Sequence, residues 1–376
     1  MKTLPSLAVL LLCALPPGLR AITIDTVLVG NPGNAKDVAW GDPFRRYGGV
    51  NYTYAIGRYE VTNFQYASFL NAVASVEDTY SLYAPTDNPT LPKPRNDANL
   101  SHAVSRGILQ SAMPGSGFSY SVAENMADKP ATFLTWFSAV RFVNWLANGQ
   151  PTGNQTSTTT ENGAYALNGL MIGGFTLTRN AVNPNTSGSP LFWLPSEDEW
   201  YKSAFYDPSL QDGVGGYWLY PTRSNDQPVA ATATATGDIA NPGANVSNYN
   251  SGVTWNGLNQ NLTTVGSAGE LSASYYGTFD QSGNVWEWSE GIVKTGTARG
   301  LRQGSANDPA VPNQYEKNFM AASFADNGFP PEYDFWNAGF RIATVPEPSA
   351  IGLLLALGCA GGACRMMKRR RRSPNP

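Results

Sequence analysis

Asp280 and Glu287 are carboxylates seven residues apart in the segment DQSGNVWEW, with Gly283 between them. Carboxylate and carbonyl oxygens are hard donors, the ligand type that Ca²⁺ takes. Gly283 permits a tight loop whose carbonyls can turn inward. The competing reading is a turn carrying two solvated acids. Trp286 and Trp288 alternate around Glu287; such a pair reads first as core packing and second as ligand contact. Further on, Tyr315, Phe319, Phe329, Tyr333 and Trp336 stand among Asn, Asp and Gln residues. Aromatic faces beside polar groups are what recognition of carbohydrate or peptide requires.

Other chemistries are excluded by what is missing. The chain has 376 residues, three cysteines and one histidine. Cys13, Cys359 and Cys364 all lie near the ends, so 22–344 holds no disulfide, no zinc-thiolate site and no cysteine nucleophile. His102 alone supplies neither a histidine metal cluster nor a Ser-His-Asp triad, and reads as a loop residue.

Charge is segregated in the same way. Two bases in 1–21, and six bases with one acid in 345–376, leave 17 bases and 27 acids in 22–344, a net of −10. An acidic body is repelled by phosphate backbones, which argues against nucleic-acid binding.

The ends read as addresses. Lys2, the apolar run Leu7 to Leu15 and Ala21 follow the order of a signal peptide, predicted over 1–21. At the other end, Ala350 to Cys364 is an apolar run followed by a Lys/Arg block, the stop-transfer pattern. With Pro346-Glu347-Pro348 before it, the segment 345–376 resembles the PEP-CTERM sorting signal of certain Gram-negative bacteria. That resemblance implies an exported protein, held at the inner membrane through 350–364 and processed by an exosortase-type enzyme. Cell-surface display or secretion would follow.

The elements that must position the chemistry are few. Thr62 caps a predicted helix with the stripe Tyr66, Phe69, Leu70, Val73. A second is predicted from Trp136 to Asn148, capped by Thr135 and stopped by Gly149. A third opens at Ser196-Glu197-Asp198-Glu199, a capping box, and ends at Asp207-Pro208. Thr23 to Val29, Tyr54 to Val61, Phe175 to Leu177 and Gly339 to Thr344 are the strand candidates. Residues 83–125, 150–190 and 225–262 are polar and Gly/Asn-rich and read as surface excursions. Short elements around an aromatic-rich core argue for one irregular α+β domain over 22–344.

Five motifs in order then resemble the formylglycine-generating-enzyme, or sulfatase-modifying-factor, family. They are Ile56-Gly57-Arg58-Tyr59-Glu60-Val61-Thr62-Asn63, Trp193 to Trp200 (WLPSEDEW), Asp280 to Trp288, Arg299 to Ser305 (RGLRQGS), and Asn337-Ala338-Gly339-Phe340-Arg341. The resemblance implies a compact fold related to C-type lectins. It also implies a calcium ion held by Asp280 and Glu287 side chains and Gly283 and Val285 carbonyls. A second calcium site would fall near Asn248-Tyr249 and Asn256. Trp286 would border the binding groove, and Arg341 would make a buried ion pair.

The departure from the family lies in 305–325. Catalytic members carry two cysteines there that bind copper, and Met320-Ala321-Ala322 stands where relatives have Cys-Ala-Ala. A thioether cannot become a thiolate, so no copper is expected. The resulting expectation is a non-catalytic, exported binding or structural module linked to exopolysaccharide, with Trp286, Tyr315, Phe319, Met320 and Trp336 contacting its ligand. The alternative is a divergent oxidoreductase or other enzyme that works in the same groove without cysteine.

Overall fold

The computed structural model describes residues 21–40, 46–83, 107–113, 117–250, 252–259, 261–293, 296–308, 318–324 and 328–346. His102, Tyr315 and the two terminal address segments, 1–20 and 347–376, lie outside the described residues. Among the described residues no helix is long and apolar enough to cross a membrane.

Three helices form where capping and apolar spacing place them. Helix α1 (Asn63–Val73) starts at a capping box in which Thr62 and Gln65 satisfy each other's end amides. Tyr66, Phe69, Leu70 and Val73 are all buried. Helix α2 (Trp136–Ala147) is capped by Thr135, and all its residues are buried, so it is a central helix rather than a one-faced one. Helix α3 (Glu197–Phe205) begins at the Ser196–Glu199 capping box. The Glu199 carboxylate also accepts the Tyr52 hydroxyl at 2.8 Å and the Trp193 indole N–H at 3.1 Å, which ties this helix start to the neighbouring strands.

The strands are short. The first sheet is built from β1 (Thr26–Val29), β2 (Tyr54–Gly57), β5 (Phe192–Trp193) and β10 (Ala343–Thr344), in the order β1-β2-β10-β5. The second is built from β6 (Trp286–Val293), β7 (Ala298–Arg302), β8 (Gly328–Phe329) and β9 (Ala338–Phe340), in the order β8-β7-β6-β9. A hairpin, β3 (Ile108–Ala112) with β4 (Phe118–Val122), packs on α1.

Three expectations change. Phe175–Leu177 forms a turn rather than a strand. The run Gly339–Thr344 is not one strand: Phe340 ends in the second sheet, Ala343 begins in the first, and Arg341 sits at the handover. The excursion 150–190 is also partly interior. Glu161 within it pairs with Arg141 of α2 at 2.6 Å, both buried, and Ala164, Tyr165 and Leu167 join the main core. Its polarity reflects internal hydrogen bonding, such as Asn144 to the carbonyls of Thr160 and Tyr165. The stretch 225–262 carries a second small core of Ala231, Ile239, Val246, Val253 and Trp255.

Candidate functional site

The segment before β6 turns sharply. Asp280, Gly283 and Asn284 all have left-handed backbones, with φ of 59°, 99° and 60°. A Cβ on Gly283 would lie 2.4 Å from the Asn248 carbonyl, so glycine is required twice, by conformation and by space. The close approach lets the Asn284 N–H donate to the Asn248 carbonyl at 2.8 Å. Asn248 and Gly283 thus meet in one place, three residues beyond Asp280, with Val285 buried just after them.

Glu287 goes elsewhere. Its two oxygens accept from Arg341 Nε and Nη2, each at 2.6 Å, and one also accepts the Trp200 indole N–H at 2.7 Å. Arg341 spends its remaining donors on the carbonyls of Gly57 and Phe279, at 2.9 and 2.8 Å. This single side chain ties the end of β2, the turn before Asp280 and β6 together at the crossing between the sheets. The structure therefore gives Glu287 an ion pair rather than an open ligand position.

Glu60 is the residue that sequence reasoning missed. It is buried, Asn284 Nδ2 reaches its Oε1 at 3.4 Å, and its Oε2 has no partner among the described residues. The Oδ1 of buried Asn248 is likewise unpartnered, while its Nδ2 donates to the Asn261 carbonyl at 3.0 Å. A signal was present: an acid within the strand-like run Tyr54 to Val61, directly before the apolar Val61 and the Thr62 cap.

Burial pushes the Glu60 carboxyl well above the usual carboxylate range, with the nearby Asp280 charge adding to it. Burial likewise lifts Asp280 to about 6, although it accepts the Gly266 N–H at 2.6 Å. Glu60, Asp280 and Glu287 face one guanidinium, Arg341, so the cluster carries an excess of negative charge. Among the described residues no three Asp, Glu, His or Cys side chains converge on one metal point. A cation here would therefore depend on amide and carbonyl oxygens as well.

An aromatic group adjoins this cluster. The Trp286 ring meets Phe319 edge-on at 5.6 Å and Phe324 at 5.8 Å. Trp286 is buried and Phe319 half-buried. Met320 is fully buried against Tyr220 and Tyr249, and its backbone carbonyl accepts the Ser282 hydroxyl at 2.6 Å. Trp336 is half-buried one residue before Asn337. Beside Trp286, buried Ser305 collects Asn307, Asp308 and Asn337 into one hydrogen-bonded group. Composition offered no hint of that group, because Ser and Asn are abundant throughout.

Three solved structures are similar to this chain at low identity. CarF is 18% identical, covers 87% of this chain and 100% of its own, and gives a TM-score of 0.45. Treponema denticola variable protein 1 is 16% identical, with 88% and 98% coverage and a TM-score of 0.43. PvdO from Pseudomonas aeruginosa is 15% identical, with 86% and 92% coverage and a TM-score of 0.37. Comparison with curated proteins gives no match. The model of the sulfatase-modifying factor enzyme 1-like domain matches residues 34–345, which is most of the chain, and the protein belongs to that family.

Proposed function

We propose that this protein is an exported, cell-envelope-associated binding module on the sulfatase-modifying-factor scaffold, and that it does not generate formylglycine. The observation that carries this reading is the sulfur inventory. Residues 22–344 contain no cysteine, and Met320 is fully buried among aromatic side chains. A buried thioether offers no thiolate for copper or for a substrate thiol. In place of sulfur, Trp286 and Phe319 stand beside Ser305, Asn307, Asp308 and Asn337. Export, exosortase processing and a link to exopolysaccharide belong to the same reading, on the strength of the terminal segments. A fold related to that of C-type lectins, part of the same reading, suits a scaffold that displays a ligand surface.

Calcium is part of the proposal. Unpartnered oxygens on Glu60 and Asn248, the carboxylate of Asp280, the tight Gly283 turn and the surplus of negative charge suit a hard divalent cation. Glu60, Asn248 and Asp280 would hold it, with carbonyls from the turn at Gly283 to Val285. Glu287 would contribute through its charge, its oxygens being engaged by Arg341. When bound, the ion would neutralise these acids and brace the turn that leads to Trp286.

Two measurements test the reading. Melting of purified 22–344 should rise with Ca²⁺ and fall back with a chelator. Incubation with a cysteine peptide, copper and oxygen should leave the peptide unchanged. Aldehyde formation would make the protein an enzyme.

A further inference from the structure

The group beside Trp286 has a defined hydrogen-bond polarity. Asn337 Nδ2 donates to Ser305 Oγ at 2.9 Å and to Asn307 Oδ1 at 3.1 Å. Ser305 Oγ lies 2.6 Å from Asn307 Oδ1 and 2.7 Å from Asp308 Oδ2, both acceptors for its proton. Asp308 also accepts the Ser305 N–H at 2.8 Å and the Trp286 side-chain N–H. Its carboxylate is thus turned inward and occupied. Ser305 is fully buried, so these bonds lie within the protein and fix both amides in one orientation.

Fixing the inner atoms fixes the outer ones. Asn307 keeps Nδ2, a donor, and Asn337 keeps Oδ1, an acceptor, with no protein partner among the described residues. Both residues are half-buried, so part of each is open to solvent. Both amides are bonded to the same Ser305 hydroxyl and so lie side by side. Next to them is half-buried Phe319, packed edge-on against buried Trp286 with ring centroids 5.6 Å apart.

We infer that this surface binds an acetamido group, as carried by N-acetylated sugars. Such a group has one carbonyl for Asn307 Nδ2, one N–H for Asn337 Oδ1, and a methyl for the aromatic edge. A plain hexose has hydroxyls for the amides and a C–H face for an aromatic ring, but no methyl for the aromatic edge and no amide to match the donor and acceptor together. A cationic group gains little, because the one carboxylate present is already bonded to Ser305 and Trp286. The inference rests on the binding-module reading and specifies its ligand class.

Saturation-transfer NMR on the purified 22–344 protein, with N-acetylglucosamine, glucose and N-acetylalanine methylamide as probes, tests it. The expected result is a saturable N-acetylglucosamine signal, strongest on the acetyl methyl, with glucose at least about tenfold weaker. Asn307→Asp keeps the inner acceptor, replaces the outer donor with an acceptor and adds a charge beside Asp308. It should weaken binding about fivefold or more, the loss of one hydrogen bond, with unchanged near-ultraviolet circular dichroism. Equal response to glucose, no response to N-acetylglucosamine, or a response indifferent to Asn307→Asp overturns the inference. Tighter binding of the methylamide also overturns it and assigns the amides to peptide. The wild-type comparison of probes stands even if the variant misfolds. A protein that is calcium-stabilised and inert toward cysteine peptides, yet ignores acetamido sugars, loses this inference alone.

Discussion

Arg341 grips Glu287 through two hydrogen bonds of 2.6 Å, and both side chains are shut away from solvent. Breaking a buried pair by removing one partner strands the other charge, which costs about 3–5 kcal/mol. Glu287→Gln should destabilise the protein by that amount in urea unfolding. The loss should exceed that of an exposed pair such as Lys36–Asp198, which spans 3.4 Å at the surface and is worth about 0–1 kcal/mol.

Gly283 gives the second prediction. Alanine there takes on an unfavourable left-handed backbone and drives its Cβ to 2.4 Å from the Asn248 carbonyl. Together these should cost at least about 2 kcal/mol. The expected signature is a lower melting temperature and a smaller calcium response, because the turn that offers carbonyls is the one displaced.

Calcium itself gives the third. A ligand that binds the folded state at a hundred times its Kd stabilises by about 2.7 kcal/mol. Calorimetry in Ca²⁺ against chelator should show a concentration-dependent rise in Tm. Glu60→Gln and Asn248→Ala should each blunt it, whereas Mg²⁺, which prefers a rigid octahedral shell, should do less.

The fourth concerns Lys202. Its amine is buried on α3 and donates to the Asn31 carbonyl at 2.8 Å. Burial lowers it to about 8, against about 10.4 in an unfolded chain. Between these values the unfolded state holds the proton that the folded state has released, so stability from this group rises with pH. Wild type should therefore gain stability relative to Lys202→Met between pH 8 and 9.5, a window below the range where tyrosines ionise. Parallel stability curves for the two proteins would contradict this.

What the sequence revealed, and what it hid, follows from the range of the interactions. Caps are local, so Thr62, Thr135 and Ser196 marked three helix starts correctly. The full burial of α2 was hidden, because burial depends on chain that arrives from far away. The Arg341–Glu287 pair spans 54 residues and the Asn284–Glu60 contact 224. No local pattern reports either. The Ser305–Asn337 group is similar: its members are ordinary surface residues until the fold encloses Ser305. The Gly283 turn was legible, since a glycine between two acids signals a tight loop, but not that Asn248 presses against it. Likewise, the capping box explained only part of Glu199, whose bonds to Tyr52 and Trp193 depend on the sheet.

The central claim is that this scaffold binds a ligand and does not oxidise a cysteine. Mass spectrometry of a cysteine peptide incubated with the purified 22–344 protein, copper and oxygen tests it most directly. An unaltered thiol peptide after many hours, with no aldehyde trapped by hydrazide, is the outcome expected from a body without cysteine. Conversion of the cysteine to formylglycine would contradict the account.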